Sequence, residues 1–131
     1  MAGFTRTWEA NVLNWVFRAQ SVTQPSAIYV ALYTAAPTDT AEGTEVSGGG
    51  YARQLVTFGA PTGNPRSISN SANVDFPVAT ANWGTIVAAA LHTAATGTGN
   101  MIAWANLAVS KTINSGDQFR FFAGDITVTL D

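Results

Sequence analysis

The sequence predicts an all-β fold: an antiparallel β-sandwich of jelly-roll type, with about eight short strands, behind one N-terminal α-helix. Three observations carry this. Apolar residues alternate with a period of two in several short runs. Turn residues separate those runs, as in Asn82-Trp83-Gly84, Asn114-Ser115-Gly116-Asp117 and Ala123-Gly124-Asp125. Helical spacing occurs in one place, near the N-terminus. The strand–helix rhythm of a parallel sheet is absent. The 131 residues read as a single domain, 1–131, with the helix at 5–19 and the sandwich at 27–131.

The helix comes first. Thr5 or Thr7 can offer a side-chain oxygen to an unpaired amide one turn on. Glu9 then lies in the first turn, where negative charge suits the dipole. Trp8, Val12, Trp15, Val16 and Ala19 share one face, which Leu13 and Phe17 widen. Such a face is expected to bury against its own domain; a neighbouring subunit is the alternative.

Residues 27–34 form the clearest strand. Ile28, Val30 and Leu32 point one way; Tyr29, Ala31 and Tyr33 point the other. With both faces apolar, this strand belongs in the centre. Residues 35–43 read as loop, and Asp39, Glu42 and Glu45 make an acidic cluster there. Calcium takes several such oxygens, but the spacing fits no calcium-loop pattern, so a solvated loop is expected.

Gly48, Gly49 and Gly50 follow. Ordering three glycines costs the chain more backbone freedom than any other run, so a sharp turn or a close backbone approach is expected. A phosphate loop would need a following helix and a Lys-Ser or Lys-Thr pair. Here alternation at 51–58 indicates a strand instead. Arg53, beside Tyr51 on that strand, is read as an interface or ion-pair residue.

Residues 59–73 are loop-like, rich in Pro, Gly, Ser and Asn. Short strands are expected at 74–76, 85–92, 101–107, 109–113, 118–122 and 126–130. Ala88, Ala89 and Ala90 suggest a neighbouring layer lying close. The last strand, with Thr127 and Thr129 alternating against Val and Leu, has one wet face.

Composition narrows the function. Charged residues are 11%, against about 25% in an average soluble domain. A surface so poor in charge suits a protein packed against neighbours. The net charge of −2 and the lack of a basic cluster argue against nucleic acid. No cysteine is present, which removes thiol chemistry and thiolate metal sites. No apolar run reaches the roughly 20 residues of a membrane span, so no membrane insertion is expected. The N-terminus lacks a signal-peptide pattern, so cytoplasmic synthesis is expected. His92, the only histidine, has no nucleophile and carboxylate that the sequence can place beside it; a structural or surface role is expected. Asp75, Asp117 and Asp125 sit in or beside turns and make no catalytic pair. No enzyme activity, metal or cofactor is expected.

Several blocks carry a family resemblance: Tyr29-Val30-Ala31-Leu32-Tyr33-Thr34-Ala35-Ala36-Pro37, Ser47-Gly48-Gly49-Gly50-Tyr51-Ala52-Arg53, Phe76-Pro77-Val78-Ala79-Thr80, and the closing Thr127-Val128-Thr129-Leu130-Asp131. Together they resemble small tailed-bacteriophage structural proteins, often labelled phage tail fibre proteins, over nearly the whole chain. The resemblance implies a non-enzymatic protein of the virion, made in the host bacterium, that packs against other virion proteins or copies of itself. It leaves open a tail appendage or a capsid decoration role. The sequence lacks the long shaft with which a fibre reaches outward. Tyr51 and Arg53 beside the glycines are the first interface candidates, since Tyr and Arg are enriched at hot spots; Trp8 and Trp15 are the next. From a different class, a carbohydrate-binding module would contact host surface glycans through exposed aromatics. Trp83, Trp104 and Tyr33 are its candidates, with core packing the competing role for each.

Overall fold

Residues 3–130 are described by a computed structural model. Met1, Ala2 and Asp131, which the single-domain expectation includes, lie outside the described residues. The elements in chain order are β1 (Gly3–Phe4), α1 (Arg6–Phe17), β2 (Ile28–Ala35), β3 (Thr44–Glu45), β4 (Gln54–Val56), β5 (Arg66–Ser69), β6 (Val74–Asp75), β7 (Gly84–His92), β8 (Met101–Ile113), β9 (Arg120–Phe121) and β10 (Thr127–Leu130). Among the described residues the fold is mostly β and antiparallel, with one short helix.

The main sheet runs β1-β8-β7-β2-β3, and β4 also pairs with β2. β2 is central, as its two apolar faces require. One side pairs with β7 from Tyr29 to Tyr33. The other is divided: β4 takes Ile28 to Val30, and β3 takes Tyr33 and Ala35. Two ribbons, β5–β10 and β6–β9, make the second layer. A jelly roll pairs its strands in two full sheets; here the second layer is two separate two-stranded ribbons.

The core lies between the layers. Val30, Leu32, Ile86 and Leu91 of the sheet meet Val74, Phe76, Phe119 and Ile126 on or beside the ribbons. Phe76 is fully buried, stacked on Tyr51 and edge-on to Phe119. Each such side chain contributes about 1.5–3 kcal/mol. The sheet's opposite face holds a second cluster, Ala31, Tyr33, Ala88, Ala90 and Met101. The register shifts between Ile86 and Ala88. Ile86 pairs with Lys111 and Ala88 with Asn106, so residues 107–110 of β8 bulge opposite Val87, and Val87 and Ala88 both pack on the second face.

Several boundaries differ from expectation. The strand expected at 51–58 shrinks to β4, because Tyr51 and Arg53 turn inward to polar partners. The loop expected at 59–73 contains β5, whose partner β10 lies far along the chain. The strands expected at 101–107 and 109–113 are one strand, β8, with a bulge at residues 107–110 where the break was expected. The strand expected at 118–122 is reduced to β9.

The helix differs most. It stops at Phe17, two residues early: the amides of Arg18 and Gln20 both reach Asn14 O, and Ala19 turns left-handed at φ 54°. Thr5 holds the N-cap position, but its hydroxyl donates to Met101 O on β8 instead of capping. No helical residue is buried. The expected burial of the apolar face within the domain is therefore corrected. Only Trp8 packs against the core, while Leu13, Trp15, Val16 and Phe17 stay exposed. The cause is the anchoring: Thr5 N bonds Ile102 O and Arg6 N bonds Asp39 O, which pins the first turn alone.

Candidate functional site

The glycine turn and Arg53 organise one end of the sheet. Gly48, Gly49 and Gly50 all have positive φ, 73°, 59° and 79°, a region other residues enter only with strain. Tyr51 N closes the turn onto Gly48 O at 3.0 Å. Gly49 meets the close approach expected of the run. Its carbonyl accepts from Trp83 Nε1 at 2.9 Å and Thr80 N at 3.0 Å, and a Cβ there would sit 2.9 Å from Trp83 Nε1.

The turn reverses the chain so that Arg53 faces Glu45 of β3. The pair is bidentate: Nε donates to Oε2 and Nη2 to Oε1, both at 2.9 Å. Nη2 also donates to Gly97 O at 2.7 Å. Nη1 donates to Ala94 O at 3.0 Å and Asn100 Oδ1 at 3.1 Å. A guanidinium has five N–H donors, and all are engaged within the chain. Only 4% of the side chain is exposed. Arg53 therefore takes the ion-pair alternative. Its five donors are spent within the chain. Tyr51 is bound alike, donating to Glu45 Oε2 at 2.6 Å and accepting from Leu32 N at 3.0 Å.

The network continues to His92. Asn100 directs its amide nitrogen to Thr96 O and Thr98 O, so its Oδ1 faces Arg53 and His92 Nδ1, the latter at 2.7 Å. His92 must then donate from Nδ1 and accept at Nε2 from the Tyr33 hydroxyl, 2.7 Å away. This is the neutral imidazole. Burial holds it below its ordinary pKa, and the Arg53 charge adds to that. Burial pushes the Tyr33 and Tyr51 hydroxyls well above their ordinary value. Burial alone would raise Glu45, but bonds from Arg53 and Tyr51 outweigh it and keep the carboxyl below its usual range. The hydroxyl that meets the imidazole is that of Tyr33, which burial keeps protonated. What the arrangement can do is rivet β2, β3, the glycine turn and the 93–100 connection together.

The acidic cluster expected to be solvated is instead bonded to protein. Asp39 Oδ1 accepts from Trp104 Nε1 at 3.1 Å, Glu42 Oε1 from Gly99 N at 2.8 Å, and Glu45 serves Arg53. Asp117 and Asp125 accept amides within their turns, and Asp75 pairs with Arg120. The aromatics nominated for sugar stacking fare similarly. Tyr33 and Trp83 are buried, so neither offers a ring face; Trp104 is half-buried and held by Asp39.

Exposed apolar surface gathers elsewhere. Trp15 is 65% exposed and Phe17 78%. Trp8 and Trp15 stand apart in exposure but line one hollow of about 500 Å³ against Val22 and Pro25. Sequence reasoning did not single out Glu45 and Asn100 as partners of Arg53. The spacing of Glu45 and Arg53 across a glycine turn was the available signal.

Glu45, Arg53, Asp39 and Glu42 are thus bonded within the chain, while Leu13, Trp15, Val16 and Phe17 of α1 face outward. A family model described as Podophage GP4 fiber I protein gp80 matches residues 3–129. The chain belongs to that family, a phage tail fibre family. No curated protein matches it.

Proposed function

We propose that the chain is a non-enzymatic, tail-associated structural protein of a bacteriophage virion, and that it works by packing against other virion proteins and copies of itself. The observation that carries this is the contrast between polar and apolar groups. Every donor of Arg53 is engaged internally, whereas Leu13, Trp15, Val16 and Phe17 face outward on one helix. Apolar and aromatic groups supply assembly surfaces. Trp15 is the interface residue retained from the sequence, with Trp8 supporting the helix from its inner side. Family membership supports a tail position over a capsid decoration role. The glycan alternative loses support with the burial of Tyr33 and Trp83.

Gold-labelled antibodies against this chain on purified particles test the proposal. Label at the tail is expected. Label spread over the head would turn the protein into a decoration component, and unlabelled particles would sink the virion role.

A further inference from the structure

We infer that the hollow between the main sheet and the β5–β10 ribbon is a binding site for a free fatty acid, its alkyl chain between the layers and its carboxylate on Arg66. This goes beyond the assembly reading and does not depend on it. The hollow measures about 360 Å³. Ile28, Leu91 and Ile102 of the sheet line one side, and Ile68, Val128 and Leu130 of the ribbon line the other. Protein interiors normally close such a gap to crystal-like density. Here Ile28, Ile68 and Val128 stay half-buried, because no side chain among the described residues fills the space between them. Water suits the hollow poorly. It needs two to four polar partners, and Arg66 and Ser67 are the only polar residues in the lining.

One charge selects the head group. Arg66 and Ile68 stand on the same face of β5, opposite Leu130 and Val128 of β10. All four line the hollow, and Arg66 is the only charged residue that does. Arg6, Arg53 and Arg120 pair with carboxylates, and Arg18 with Asn14 Oδ1. The Arg66 side chain has no such partner among the described residues. A guanidinium fork holds a carboxylate through two parallel N–H donors. Pockets for small ligands run from about 300 to 1,000 Å³ and join an apolar lining to a few polar groups. At the small end of that range, this hollow suits one alkyl chain and not the paired chains of a phospholipid.

Calorimetric titration of the full chain at neutral pH with decanoate, and with uncharged decanol of the same length, tests this. Saturable binding of one decanoate per chain is expected, with decanol about fivefold weaker. Arg66→Gln should lower decanoate to the level of decanol and leave decanol unchanged. Lys111→Gln, outside the hollow, should leave both unchanged. Val128→Trp fills the space and should abolish both, with circular dichroism to confirm folding. Arg66 is exposed, so Arg66→Gln keeps the fold and decides the matter even if Val128→Trp does not. The inference is overturned if decanoate fails to saturate, if decanol binds as tightly, or if Arg66→Gln leaves decanoate unaffected. Sedimentation with phosphatidylglycerol vesicles without decanoate binding also overturns it, and assigns the site to a membrane instead. Each of these failures leaves the assembly reading standing, because that reading is tested by the position of the label on the particle.

Discussion

Replacing Arg53 by Ala should destabilise the isolated domain, whatever it does to assembly. The change removes five hydrogen bonds at once. It leaves Glu45 without its counter-charge, and the carbonyls of Ala94 and Gly97 without a donor. Breaking a buried ion pair by removing one partner costs about 3–5 kcal/mol. The Glu45 side chain keeps 25% exposure, so water compensates part of the loss and the lower end applies, about 3 kcal/mol. For a domain of this size that is a fall of roughly 10 °C in Tm. Arg53→Lys keeps the charge but loses the fork, and should cost about half as much. Urea unfolding of the three proteins, with a Glu45→Gln/Arg53→Met double-mutant cycle, measures the coupling directly. A loss below about 1 kcal/mol for Arg53→Ala would refute the rivet and return the residue to an interface role.

Three further outcomes are expected. Stability should fall as pH drops below the ordinary histidine value of 6.5, because the unfolded chain takes up a proton that buried His92 resists; the slope reaches at most about 1.4 kcal/mol per pH unit. A second decline should follow as pH falls through the depressed pKa of Glu45. Urea midpoints from pH 8 to pH 3 check both, with His92→Gln expected to flatten the first decline. Gly48→Ala meets open space and should cost only the left-handed backbone strain, about 1–2 kcal/mol. Gly49→Ala adds a clash with Trp83 Nε1 and should cost clearly more in a thermal melt. Phe17→Ser, at an exposed position, should leave stability within about 0.5 kcal/mol while reducing incorporation into particles.

How much of this was legible in the sequence depends on how local the cause is. The central place of β2 could be read because alternation with two apolar faces is written within one run. The glycine turn could be read because positive φ is a property of the residue itself. β5 escaped because Arg66–Ser69 carries a single apolar residue, and its strand character comes from β10, far away in sequence. The helix was visible as a pattern, but where a face packs depends on what is opposite. Thr5 and Arg6 anchor only its start. The Arg53 network was half legible. An ion pair was one of its two expected roles, yet the partner had to be chosen from three acidic residues, and Asn100 and His92 reach it only through the β7–β8 pairing.

The measurement closest to the central claim is a cryo-EM map of the intact particle at side-chain resolution. The account predicts this chain at the tail, with the exposed face of α1 covered by a neighbour and Arg53 bonded to Glu45 of its own chain. A map with α1 bare to solvent and Arg53 reaching into an adjacent subunit would contradict it.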